Sequence, residues 1–304
     1  MSTEEKTKAE APDEPPKKQK KKWSKRKKIV LSVFGVLLVL IIAEFIRSNT
    51  VIQVEEFTFE SEDVPPAFDG VRIVQISDYH NHGGSHDDRL IKKIEAQHPD
   101  YIFLTGDIAD SILTHIDRAN AFLERVSKIA DCYLVWGNHD LALSEEDRNS
   151  MAECCRKNGI TVLEDEYIRL TRGDDSLLLV GTKSDMGSYF TDIMMKDYPS
   201  GEDFVIWLHH YPEDFEEIVD ESKAAGSQAD LAFCGHAHGG LVRLPVIGGL
   251  VAPGQGLFPK YTSGDYYYDG SELLLSRGVG NSGVTLRFLD PFHLVVCELK
   301  RTGG

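Results

Sequence analysis

Five short polar clusters each close an apolar run: Asp78-Tyr79-His80, Gly106-Asp107, Gly137-Asn138-His139-Asp140, His210-Tyr211-Pro212 and Gly235-His236-Ala237-His238. Between them they offer Asp78, Asp107, Asn138, His80, His210, His236 and His238 as donors: two carboxylates, one amide and four imidazoles, with no thiolate. Oxygen and nitrogen donors of this kind suit divalent cations such as Mn²⁺, Fe, Zn²⁺ or Mg²⁺, and do not suit Cu(I) or an iron–sulfur cluster. Each cluster alone says little. Asn138 and Asp140 would pass as ordinary turn residues, and a lone Gly-Asp carries almost no signal. Their joint placement is what points to a metal centre, because open α/β sheets gather ligands beyond the carboxyl ends of their strands. The i, i+2 spacing of Asp78/His80 and of His236/His238 predicts that each pair converges from one side of extended chain. Glycines directly before Asp107, Asn138 and His236 let the backbone turn sharply or approach closely there.

The runs that carry these clusters alternate with helical patterns. Residues 71–77 (VRIVQIS), 101–105 (YIFLT), 132–136 (CYLVW), 177–181 (LLLVG), 204–208 (FVIWL), 231–235 (LAFCG) and 271–276 (SELLLS) read as short buried strands. Between them, Leu90, Ile91 and Ile94 fall on one face of a helix over 88–97, and further helices are expected over 116–129 and 145–157, the last stopped by Gly159. The alternation predicts an α/β core. One domain is expected from Val51 to residue 304.

The net charge of −16 is unevenly spread. Residues 1–28 carry eleven basic against five acidic side chains, and the remainder 22 against 44. An acidic body of that size repels polyanions, so nucleic acid is not an expected partner. The first 28 residues are too polar to fold and predict a disordered basic arm. Residues 29–46 then form an apolar run of 18 residues interrupted only by Glu44, long enough for a transmembrane anchor. A cleaved signal peptide is the rival reading. With the basic arm held in the cytoplasm, the chain is expected to be a single-pass cell-membrane protein whose catalytic domain lies outside the cytoplasm. Cys132, Cys154, Cys155, Cys234 and Cys297 are odd in number and lack metal-type spacing, so no disulfide framework is expected.

In this order the clusters read DxH…GD…GNHD…H…GHxH, and the chain resembles the calcineurin-like metallophosphoesterases from Val71 onward. LHHYPED, GHAHGGLVRLP (235–245), PGQGLFPKY (253–261) and SRGVGNSG (276–283) are similar to the bacterial membrane-anchored branch of that family. The resemblance implies a four-layer α/β/β/α sandwich and a two-cation centre. In it Asp78, His80 and His238 would hold one ion, Asn138, His210 and His236 the other, and Asp107 would bridge them. His210 is preferred to its neighbour His209 because it precedes x-Pro. Such a pair of ions activates a water for in-line attack on phosphorus. His139 is then expected to protonate the leaving oxygen, with Asp140 orienting and charging its ring. Arg277 is a candidate grip on a substrate phosphate, with a surface salt bridge as its rival. His82 and His86 either touch substrate or are exposed loop residues. The expected reaction is hydrolysis of a phosphodiester or pyrophosphate on a lipid-linked or cell-envelope substrate, since UDP-diacylglucosamine pyrophosphatases share the signature. A soluble nucleotide or phosphomonoester, or a non-catalytic metal-binding membrane protein, are the alternatives.

Overall fold

The structure is a computed structural model that describes residues 23–183, 201, 203–283 and 286–303. Most of the expected disordered arm, residues 1–22, lies outside the described residues. The chain divides into two units, Met1–Ala43 and Glu44–Gly304. Helix α1 (Lys25–Ser48) begins in the first and contains an 18-residue window of mean hydropathy 2.9, none of it buried. Its 24 residues are long and apolar enough to cross a membrane, at about 1.5 Å of rise per residue.

In the second unit, two six-stranded sheets stack face to face. The first is built from β1 (Ile52–Ser61), β2 (Arg72–Ile76), β3 (Tyr101–Thr105), β4 (Asp131–Val135), β5 (Thr161–Val162) and the last strand, β16 (Phe292–Arg301), in the order β1-β16-β2-β3-β4-β5. Helices α2 (Ser85–Glu95), α3 (Ile116–Val126) and α5 (Glu145–Lys157) cover its outer face, and a single turn, α4 (Asn138–Leu141), follows β4. The second sheet contains β6 (Glu166–Arg172), β7 (Asp175–Gly181), β8 (Val205–Leu208) and β9 (Leu231–Cys234). After four two-residue strands, β10 to β13, between Arg243 and Leu257, it is completed by β14 (Gly264–Tyr268) and β15 (Ser271–Leu275). Its order is β14-β15-β9-β8-β7-β6, and α6 (Phe215–Ala225) packs on its outer face.

Three apolar clusters hold these layers together. One lies between helices and the first sheet, one between the sheets around Phe103, Phe204 and Phe233, and one under α6 around Trp207 and Phe215. The expected α/β/β/α sandwich is the observed one. Strands buried on both faces carry unbroken apolar runs, which is why seven of them were legible.

The outermost strands were not. β1 reads IQVEEFTFES, with one face exposed, yet it pairs with β16 in parallel over ten residues, from Ile52↔Phe292 to Ser61↔Arg301. The stretch between α1 and β2 is therefore not a free tether. Within the second unit, Ser48 Oγ accepts the Asp290 amide at 3.2 Å, and Asn49 Nδ2 donates to the Arg287 carbonyl at 2.8 Å.

Candidate metal centre

The loops after β2, β3, β4, β8 and β9 meet where the two sheets converge. The chain after β2 runs beside the chain after β3, with the Asp78, His80 and Asn81 amides donating to the Gly106, Asp107 and Ile108 carbonyls at 3.0 Å. The His236 amide donates across to the Asp78 carboxylate at 3.1 Å. These approaches need glycine. A Cβ on Gly137 would overlap the Asp107 carboxylate, and one on Gly235 would overlap Ser77 Oγ. Convergence of Asp78/His80 and His236/His238 does not come from extended chain, as the spacing suggested. All four residues, and Asp107, have φ between 46° and 67°. Non-glycine residues held in this left-handed region cost about 1–3 kcal/mol each, a strain found where side chains are aimed at a ligand.

Donor atoms of Asp78, His80 and His238 lie within 4.8 Å of one another, and so do those of Asp107, His210 and His236. Asp107 Oδ2 sits between the groups, 3.3 Å from His210 Nε2 and 3.8 Å from His80 Nε2. Asn138 Oδ1 reaches His210 Nε2 at 3.2 Å. His210 Nδ1 donates to the Thr105 carbonyl at 2.7 Å, which turns Nε2 towards the cluster. Its neighbour His209 is bound elsewhere, to Thr182 at 2.7 Å and Asp214 at 3.0 Å.

The cluster has the electrostatics of a cation site. Asp107 Oδ2 is buried without a hydrogen-bond partner, and His80 Nε2 confronts His238 Nε2 at 3.3 Å. Among the described residues, no lysine or arginine forms an ion pair with either carboxylate. Burial, aided by the charge of Asp107, pushes Asp78 up to about 6. Burial opposes ionisation of Asp107 as well, but His210, His80 and His139 outweigh it and hold that carboxyl well below the usual range. Burial drives His80 down to about 4 and His236 to about 3, so both are neutral rings with lone pairs to offer. His210 goes the other way: against its burial, Asp107 and Asp78 lift it to about 10. Two buried carboxylates thus draw a positive charge into the site, and hard oxygen and nitrogen donors surround it, as a divalent cation requires.

His139 stands beside this cluster, its ring centroid 4.8 Å from that of His80. Its Nδ1 accepts from the Ser111 amide at 3.2 Å, so the proton of the neutral ring is on Nε2, 3.3 Å from Ser282 Oγ. The expected role of Asp140 is corrected. Its buried carboxylate accepts the amides of Ala109 (2.9 Å), Gly137 (3.0 Å) and Ile108 (3.3 Å), locking the turn between the β3 and β4 loops instead of the imidazole. The carboxylate facing His139 belongs to Asp110, at 3.7 Å, and Asp110 also lies 3.6 Å from His80 Nδ1.

Arg277 is corrected too. It is buried, bonded to Gln53 at 3.1 Å and 3.4 Å from Asp290, so it is not the surface salt bridge of the rival reading. The arginine at the cluster is Arg287, fully buried, whose Nη2 lies 3.2 Å from His238 Nδ1. His86 is a buried residue bonded to the Val279 carbonyl at 2.7 Å, whereas half-buried His82 stacks on it and lines a cavity beside His80. No motif marks Asp110, Ser111 or Arg287; only the folded chain brings them in.

A family model, the calcineurin-like phosphoesterase, matches residues 71–240, which contain every donor named above. The chain belongs to this family. It is therefore a metal-dependent hydrolase of phosphoric esters. It is similar to the metallophosphoesterase YkuE of Bacillus subtilis, 30% identical over 264 residues that cover 83% of this chain and 86% of that one. It is also similar to the phosphodiesterase YaeI of Escherichia coli, 30% identical over 192 residues, 61% of this chain and 65% of that one. A transmembrane protein with metallophosphoesterase domain from Danio rerio is 23% identical over 294 residues, 90% of this chain and 62% of that one.

Proposed function

We propose that this enzyme is a membrane-anchored, two-cation phosphodiesterase or pyrophosphatase acting on a lipid-linked or cell-envelope phosphate ester. The observation that carries the reading is the orphaned Oδ2 of Asp107, buried between two donor groups. Asp78, His80 and His238 would hold one cation and Asn138, His210 and His236 the other, with Asp107 shared between the two groups. When bound, the ions supply an activated water and positive charge for the phosphoryl oxygens.

The chain's own residues do the rest. His139 delivers a proton from its imidazolium form to the leaving oxygen and is left as the neutral ring. Ser111 Oγ, 3.0 Å from Nδ1, and the Asp110 carboxylate, 3.7 Å from it, hold the ring in place and face its second N–H. Asp140 keeps Gly137 and the residues after Asp107 in register, and so acts on geometry.

Kinship with a phosphodiesterase supports diester chemistry, and kinship with a transmembrane metallophosphoesterase supports anchoring. The lipid-linked substrate is supported by the chain immediately after the apolar helix. Asn49 Oδ1 accepts from Arg287 N and Asn281 Nδ2, both at 3.2 Å, and Arg287 in turn reaches His238. The basic arm keeps the N-terminus cytoplasmic and the catalytic unit outside.

The test uses the full chain in lipid nanodiscs, loaded with Mn²⁺ or stripped by chelator. Lipid diphosphates, lipid phosphodiesters, an aryl phosphodiester, nucleotides and phosphomonoesters are compared by kcat/KM. The reading expects metal-dependent hydrolysis, best on lipid diesters or diphosphates. Preference for a nucleotide or monoester would contradict the substrate class, and protection of the body from protease on intact cells would contradict the orientation.

A further inference from the structure

A cavity of about 240 Å³ opens beside His80, and Asn81, His82, His115, Arg118 and Asn281 wall it. Its walls are held by specific bonds. Asn81 Oδ1 accepts the amides of Asp110 (2.9 Å) and His115 (3.3 Å), while its Nδ2 donates to the Leu113 carbonyl at 3.0 Å. One side chain thereby folds the loop from Asp110 to His115 against the cavity. Arg118 lies across Gly83, where a Cβ would meet its Cδ at 2.8 Å, so the arginine stem passes only because residue 83 has no side chain.

The charge balance of this cavity is unlike that of the rest of the body. Beyond residue 28 acidic side chains outnumber basic ones 44 to 22, yet among the described residues no carboxylate pairs with Arg118. The acidic residue in the wall is Asp110, and its oxygens are occupied. They accept the amides of Ile112 at 2.7 Å, Leu113 at 3.0 Å and Gly283 at 2.7 Å. The Asn81 and Asn281 side chains are likewise engaged, to the 110–115 loop and to Arg287 and Asn49, so what remains to face a ligand is a guanidinium and two imidazoles. The cavity also lies on the His139 side of the metal centre, since His80 is shared by both and the two rings are 4.8 Å apart.

Resting on the phosphoesterase reading above, we infer that this cavity is an anion subsite, which takes a second phosphate carried by the leaving group of the substrate. Arg118 pairs with that phosphate, and His82 and His115 offer it hydrogen bonds. Two kinds of substrate carry such a group. In a diphosphate it is bonded directly to the scissile phosphorus, and in a polyol-phosphate chain it lies one unit further on.

The experiment measures kcat/KM of the full-length, Mn²⁺-loaded enzyme on three matched methyl esters. Their leaving groups are glycerol, glycerol phosphate and inorganic phosphate, the last being a methyl diphosphate. Wild type is compared with Arg118→Ala, Arg118→Lys and His115→Gln. The subsite predicts that Arg118→Ala lowers the ratio of a charged to the uncharged substrate by about tenfold or more, mainly through KM. Arg118→Lys should restore part of the ratio, and His115→Gln should shift it in the same direction by less. Whichever charged ester responds identifies the source of the second phosphate. An unchanged ratio on both, with all substrates losing equally or none losing, would overturn the subsite. Failure of wild type to cleave any diester would instead overturn the phosphoesterase reading.

Discussion

Two buried polar clusters lie within a few residues of each other, and they are built on opposite principles. Around Asp290, unlike charges are matched: Arg287 Nη1 bonds it at 3.1 Å and Arg277 stands 3.4 Å away. Around Asp107, like groups are forced together. The Nε2 atoms of two imidazoles approach to 3.3 Å, a carboxylate oxygen has no hydrogen-bond partner, and five residues hold left-handed backbone. A folded chain tolerates a matched cluster for its own stability. It tolerates a mismatched one when a ligand completes it. The contrast separates Arg277, whose charge is paired with that of Asp290, from the donors grouped around Asp107.

The largest effect that breaks this contrast is expected at Asp107. Asp107→Asn removes the charge shared between the two groups and should cost metal and activity together, by about 10³-fold or more in kcat/KM. Cys234→Ala, buried just before the β9 turn, should leave metal content intact. Two bound cations and near-normal turnover in Asp107→Asn would mean that the mismatch has another purpose. Next comes His139, whose proton matters in proportion to how poorly the leaving oxygen departs as an anion. His139→Ala should lose about 10²–10³-fold on an alkyl phosphodiester and much less on an aryl one, at equal metal loading. Equal losses would point to a positioning role. Asp140→Asn should lose activity on both esters alike, because its carboxylate holds backbone amides and not the ring.

The matched cluster should respond in stability. Arg277→Met removes one partner of a buried carboxylate and should lower unfolding free energy by about 1–3 kcal/mol in denaturant titration, with KM for an aryl diester unchanged. A raised KM would restore Arg277 as a phosphate ligand. A pH-dependent effect concerns His293, which burial drives down to about 4. The unfolded chain takes a proton there near the ordinary histidine value and the folded chain does not. Stability is therefore lost as pH falls from about 6.5 towards 4, by at most about 1.4 kcal/mol per pH unit. With metal kept saturating, His293→Gln should flatten that slope; an unchanged slope would assign it to other groups.

How much of this could be read from the chain alone follows from where each signal resides. Helix α5 was expected over 145–157 and runs Glu145–Lys157, because local chemistry sets both ends: Ser144 accepts the Asp147 amide, and Gly159 turns the chain at φ 70°. Buried strands were legible through their unbroken apolar runs. β1 and β16 were not, since mixed polar sequence gains its pairing only from a partner some 240 positions away. The metal donors stood out through residue type and order. Their left-handed backbone, the bond from Ser111 to His139 and the diversion of Asp140 to backbone amides exist only once β3 and β4 lie side by side, and no spacing in the sequence encodes them.

The central claim is that the mismatched cluster around Asp107 is completed by two cations and acts only then. The most direct test strips the full-length enzyme of metal and titrates Mn²⁺ back. Bound metal is measured by elemental analysis and activity by hydrolysis of an aryl phosphodiester in the same samples. The account predicts two ions per chain, with activity appearing only as the second site fills. Full activity with one ion, or hydrolysis that persists in the stripped enzyme, would contradict it.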